Sequence, residues 1–224
     1  MNFLSHYYFY RYERNPELTL GCVLPDLLKN ADKSLRLQPE RWETALLAHP
    51  KLQNIYTGWK HHVETDRIFH NLPFFYEHTH ALRVRLVPVV EGTPILASFL
   101  SHIALELLLD HLLLVRGMAD DADFYNDLEK VDRQALNRFL KICGMADSAV
   151  FFRFYDRFLA DRYVRYYREM GEVTRALLNI CRRLWDVRLD TETRQLMTAK
   201  LNEYAGVLTE NFQQVFDEIE NNFP

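Results

Sequence analysis

Apolar positions recur along almost the whole chain at intervals of three and four residues, the period of a helix with one face turned to a core. Sparse punctuation cuts this pattern into helical pieces. Residues 1–12 are aromatic and apolar, and fit either a helix or a strand. Asn15-Pro16 opens a segment through Leu28 that Pro25 interrupts. Pro39 stands where a first helical residue belongs, and the pattern runs on to about Ala48, where His49-Pro50 breaks it. The next piece extends from about Lys51 to Asn71 and stops before Pro73, which opens a shorter helix to Leu86. Gly92-Thr93-Pro94 is the clearest boundary: a turn glycine, a capping hydroxyl and a first-turn proline. The helix it starts runs to about Arg116 and ends at Gly117. Residues 120–127 form an acidic loop or helix start. Residues 128–142 and 148–168 keep helical spacing on either side of Gly144, and 171–186 and 192–220 are amphipathic. The expected fold is all-α: one single-domain helical bundle over residues 1–224. Its centre is the helix 94–116, which is apolar on nearly every side and therefore buried all round.

Composition supports helices. Only 7 glycines and 8 prolines occur in 224 residues, too few for the tight turns of a β-sandwich. Apolar residues make up 48%, enough for a packed core, which excludes a disordered chain. The net charge of −4 lacks the basic excess of a nucleic-acid binder. Cys22, Cys143 and Cys181 are widely spaced and form no CxxC pair, so they are expected to be buried thiols of a reducing compartment. His6 and Arg11 interrupt the apolar start, so no signal peptide is read. No uncharged apolar run of about 18 residues suggests a membrane span. The expected address is the cytoplasm.

Candidate chemistry lies where polarity breaks the apolar helix 94–116. His102, Glu106 and Asp110 are spaced by four, so each step turns about 40° and the three form one slanting stripe. His111 lies about 100° from Asp110. Carboxylates and an imidazole on a buried stripe need a cation or protons to compensate them. A second stripe, His62, Asp66 and His70, has the same spacing upstream. Two neighbouring helices could each present imidazole and carboxylate groups, a sulfur-free set suited to Mn²⁺, Fe²⁺, Zn²⁺ or Mg²⁺. Asp26, just after Pro25, is a further inward carboxylate. His49, His61, His78 and His80 are read as structural or solvent-facing. Glu77 and His80 make one Glu-x-x-His, but a di-iron bundle needs that motif twice. Phe151, Phe152, Phe154, Tyr155 and Phe158 form an aromatic face, read first as core and second as a substrate-stacking wall.

Several short motifs, in order, resemble the acyl carrier protein phosphodiesterases. Met1-Asn2-Phe3-Leu4-Ser5-His6 looks like that family's MNFLAH start. Gly21-Cys22-Val23-Leu24-Pro25-Asp26-Leu27-Leu28-Lys29 is similar to its GN-x-x-AD-x-x-(R/K) segment. Gly58, His62 and Asp66 fit its G-x-x-x-H-R-x-I-D. Leu105 to Leu112 resembles L-D-x-x-x-D-H-F, with Glu106 in place of an aspartate. The resemblance implies a helical fold distantly related to the HD phosphohydrolases. It also implies a Mn²⁺-dependent hydrolase that releases 4′-phosphopantetheine from acyl carrier protein. The implied metal ligands are Asp26, His62, Asp66 and Asp110; the spacing of the two stripes adds His70 and His102 as further candidate ligands. His6, His111 and Glu106 are the implied catalytic groups. Three positions depart from the family: Cys22 replaces an asparagine, Val63 an arginine and His70 an aspartate. Without that arginine fork, Lys29, Lys60 or Arg67 is left to hold a phosphate. Another phosphoester as substrate, or a helical partner-binding protein that kept the fold, are the alternatives. Acyl carrier protein is strongly acidic, and Arg153, Arg157, Arg162 and Arg165 supply positive charge to face it.

Overall fold

A computed structural model describes residues 1–223. Among them are twelve α-helices, two 3-10 segments and no strand, so the all-α expectation holds. The helices are α1 (Phe3–Tyr8), α2 (Pro16–Ala31), α3 (Glu43–Leu47), α4 (Pro50–Phe69), α5 (Pro73–Val90), α6 (Ala97–Val115), α7 (Asp121–Glu129), α8 (Arg133–Ile142), α9 (Ala149–Asp161), α10 (Met170–Arg182), α11 (Thr191–Leu208) and α12 (Phe212–Asn222). The 3-10 segments are Pro39–Trp42 and Tyr163–Arg168.

The punctuation acts as its chemistry dictates. The Asn15 side chain accepts from the Leu18 amide at 3.2 Å, and Pro16 needs no partner at the first position of α2. Asp120, Asp132 and Asp190 cap α7, α8 and α11 in the same way. Gly117 takes φ +65°, which lets the Met118 amide reach back to the Leu113 carbonyl at 2.8 Å and close α6.

Several boundaries differ from the periodicity: α5 runs past Leu86 through Pro88 to Val90, and the segment 128–142 divides before Asp132, which caps α8. Helix α2 runs straight through Pro25, which costs it one backbone hydrogen bond. Helix α6 starts at Ala97 rather than Pro94, because the Thr93 hydroxyl holds a turn, donating to the Val90 carbonyl and accepting from the Ile95 amide. The segment 148–168 divides where Arg162 turns left-handed (φ +44°) after α9. The segment 192–220 divides into α11 and α12, and at that break the Thr209 hydroxyl bonds the Ala205 carbonyl at 3.0 Å.

Contacts gather the chain into two compact units. One comprises residues 1–5, 67–118 and 165 onward; the other comprises 6–66 and 119–164. In the first, α6 packs on α5, α10 and α11. Leu100, Leu105, Leu108, Leu109 and Leu113 are wholly buried, each contributing about 1.5–3 kcal/mol of transfer free energy. Helix α6 alone, among the described residues, has the length and composition to cross a membrane, and 67% of it is buried inside the protein as a core helix.

In the second unit α2 is the hub and packs against α7 and α9. The aromatic face of α9 is core: Phe151, Tyr155 and Phe158 are buried, and the Tyr155 hydroxyl donates to the Leu128 carbonyl at 2.7 Å. Helices α2 and α4 meet at Gly21 and Gly58 so closely that a Cβ on either would strike backbone of the other helix. All three cysteines are free and buried, as expected.

Candidate metal centre

The glycine contact puts the side chains of α2 and α4 one to two turns further along within reach of each other. His62 on α4 donates its Nδ1–H to the Cys22 carbonyl of α2 at 2.8 Å. That bond fixes the tautomer and leaves the Nε2 lone pair facing away. Nε2 lies 3.7 Å from Asp66 Oδ2, one turn along α4, and 4.0 Å from Asp26 Oδ1 on α2. His6 of α1 stacks on His62 with ring centroids 3.8 Å apart and puts its Nε2 3.3 Å from Asp66 Oδ1.

The two imidazoles are only 2% and 3% exposed, and His62 Nε2 and both nitrogens of His6 lack a well-aligned hydrogen bond. Buried polar atoms are nearly always satisfied, so these point to a missing partner. One ligand atom each from His6, His62 and Asp66 lies within 4.8 Å of the others. A divalent cation with nitrogen and oxygen ligands fits this set.

The electrostatics suit a cation. Burial, reinforced by the neighbouring His6, holds the His62 pKa well below the usual histidine value, so its lone pair is free at neutral pH. Burial opposes ionisation of Asp66, yet the positive charge of the amino terminus and the adjoining His6 hold its carboxyl well below the usual carboxylate range. Asp26 moves the other way: burial, with the nearby Asp66 charge, raises it, against the pull of His6 and Lys29. Lys29 Nζ stands 3.6 Å from Asp26 Oδ1 with most of its side chain in solvent.

The remaining expected site residues lie in the other unit. His70, just past the end of α4, turns Nε2 to His102 Nε2 at 3.1 Å and to Glu106 Oε1 at 3.6 Å. His102 reaches the same oxygen at 3.0 Å, as does the Met1 amino group at 3.1 Å. Burial would raise the Glu106 pKa, but the amino group and the two imidazoles hold it well below the usual value. His111 Nδ1–H donates to the Tyr167 carbonyl at 2.7 Å, and burial lowers its pKa. Arg67 is exposed on α4, where its carbonyl accepts from the Asn71 side chain.

Asp110 has a different occupation. Its fully buried carboxylate accepts from Asn2 Nδ2, the Leu4 and Ser5 amides and the Ser5 hydroxyl, at 2.7 to 3.1 Å, and so caps α1. Asp110→Asn, which cannot accept at both positions, is expected to lower unfolding free energy on the order of 3 kcal/mol in urea denaturation. Its metal-dependent rise in Tm should survive.

The carbonyl of Cys22 and the ring of Phe75, which stands near perpendicular to both His70 and His102, are parts of these sites that the sequence did not mark. A carbonyl carries no side-chain signal, and Phe75 resembles any core aromatic. His78, read as structural or solvent-facing, is buried and pairs with the Tyr204 hydroxyl at 2.7 Å. No protein-family model matches the chain, and neither curated proteins nor solved structures give a match.

Proposed function

We propose that the protein is a metal-dependent phosphodiester hydrolase acting in the manner of the acyl carrier protein phosphodiesterases. The observation that carries this reading is the buried, stacked His6–His62 pair, whose Nε2 atoms have no aligned partner and face the ionised Asp66. All three residues, and Asp26, fall in the short motifs that resemble that family.

His6, His62 and Asp66 would hold the cation, most naturally Mn²⁺ for a nitrogen–oxygen set, with Mg²⁺, Fe²⁺ and Zn²⁺ as competitors. A bound divalent metal acidifies water and stabilises negative charge on phosphoryl oxygens. The Cys22 carbonyl keeps His62 in the tautomer that can ligate. Asp26, with its raised pKa and its place 4.0 Å from His62 Nε2, is the group suited to accept the proton of the attacking water. Lys29 offers the positive charge for a phosphate oxygen, because Val63 stands half-exposed where the family carries an arginine. Exposed Arg153 and Arg157 on α9 give an acidic carrier protein something to meet. The free cysteines suit the reducing cytoplasm that the reading implies.

The test compares hydrolysis of bis(p-nitrophenyl) phosphate and release of 4′-phosphopantetheine from holo acyl carrier protein, with and without Mn²⁺. We expect Mn²⁺-stimulated cleavage of the simple diester and slower action on the carrier protein, whose phosphate lacks the arginine fork. Rates equal to buffer on both substrates with Mn²⁺, Mg²⁺, Zn²⁺ and Fe²⁺ would refute the reading. Binding also stabilises the fold, by about 2.7 kcal/mol at a hundredfold excess over Kd. Differential scanning calorimetry should therefore show a Mn²⁺-dependent rise in Tm that His62→Ala abolishes.

A further inference from the structure

We infer that His70, His102 and Glu106 form a second metal site, for a borderline first-row divalent cation such as Zn²⁺ or Fe²⁺. The inference stands on different residues from the hydrolase reading and does not depend on it. Three ligand atoms converge: His70 Nε2 and His102 Nε2 are 3.1 Å apart, His102 Nε2 and Glu106 Oε1 3.0 Å, and His70 Nε2 and Glu106 Oε1 3.6 Å. Ligands bound at about 2.0–2.2 Å and separated by tetrahedral or octahedral angles stand roughly 3.0–3.5 Å from one another. The triangle is therefore one face of a coordination polyhedron, drawn by two imidazoles and a carboxylate. That ligand set with open positions suits iron, and with a water in the fourth position suits zinc.

The surroundings hold the triangle in place. His102 and Glu106 are one turn apart on α6, the rigid core helix. The centre of the Phe75 ring lies 4.9 Å from that of His70 and 5.0 Å from that of His102, near perpendicular to both, which limits their rotation. Phe69 contacts both His70 and Phe75 from the adjoining turn. Glu106 is nearly buried and ionised beside the Met1 amino group, while His70 and His102 are about one-third exposed and leave the outer side open to solvent. Two imidazole nitrogens aimed at one another at 3.1 Å require something between them: a shared proton or a shared cation. The carboxylate oxygen beneath both favours the cation, which then replaces the Met1 amino group as the charge nearest Oε1.

The test is Co²⁺ binding to the full chain after chelator treatment, counted by equilibrium dialysis with elemental analysis. His70→Ala and His102→Ala alter partly exposed side chains, and circular dichroism checks that both variants fold. Each is expected to bind one equivalent fewer than wild type, with loss of the visible Co²⁺ absorption that this site contributes. His62→Ala should lose a different equivalent, so that His62→Ala/His102→Ala binds none. If His62→Ala matches wild type while His102→Ala loses one equivalent, the second site stands and the hydrolase centre fails. If His70→Ala and His102→Ala bind as much Co²⁺ as wild type, the proposal is overturned, and a proton joins the two rings.

Discussion

Asp66→Asn is expected to slow Mn²⁺-dependent diester hydrolysis at least a hundredfold. The substitution keeps the shape of the side chain and removes its charge. That charge is what the site is built around: Oδ1 faces His6 and Oδ2 faces His62, at 3.3 and 3.7 Å, and the positive charge of the amino terminus together with His6 keeps the carboxyl ionised despite its partial burial. Loss of one oriented electrostatic group commonly costs about 2.7–4 kcal/mol of barrier, or more than a hundredfold in rate. The loss should appear in kcat at saturating Mn²⁺, with native circular dichroism, since Asn in this partly exposed position leaves the core intact. A variant within tenfold of wild type would separate Asp66 from the chemistry.

The second large effect is structural. At Gly21 and Gly58 the backbones of α2 and α4 touch, and a Cβ at Gly58 would strike the Leu18 carbonyl. Gly58→Ala is therefore expected to destabilise the fold by about 3 kcal/mol or more, because overpacking against backbone has no flexible side chain to absorb it. Metal binding should fall with it, since the same contact carries Cys22 and Asp26 to His62 and Asp66. Gly206→Ala is the control. It sits in α11 with open space around its Cβ position, so the exchange should stabilise by up to about 1 kcal/mol through helix propensity. Chemical denaturation of the two variants measures both signs. Equal stabilities would show that the close approach of α2 and α4 does not govern the fold.

Gly21 and Gly58 stand out in the sequence as motif residues, but only their meeting explains why those positions exclude a side chain. The helices were legible because Asn15, Pro16 and Gly117 act within a few residues of themselves. The apolar circumference of 94–116 likewise announced a core helix. The break at Arg162 and the passage of α2 through Pro25 were not legible, since tertiary packing overrides local preference there.

The two polar stripes were legible as stripes, and they regrouped on folding. His62 and Asp66 stay together because both lie on α4, and they gain His6, which is more than fifty residues away in sequence. His70 leaves the register because α4 ends at Phe69, and it joins His102 and Glu106 instead. Asp110 shares the spacing of that pair but meets the amides of α1, a contact over 105 residues that no local pattern encodes. Spacing identifies which residues share a helix face; it does not say which other element that face meets.

The most direct test of the central claim is anomalous diffraction at the manganese edge from a crystal equilibrated with Mn²⁺. The account predicts a peak between His6 Nε2, His62 Nε2 and the Asp66 carboxylate, absent in crystals of His62→Ala. A Mn²⁺-loaded crystal with no anomalous density among those three side chains would contradict it.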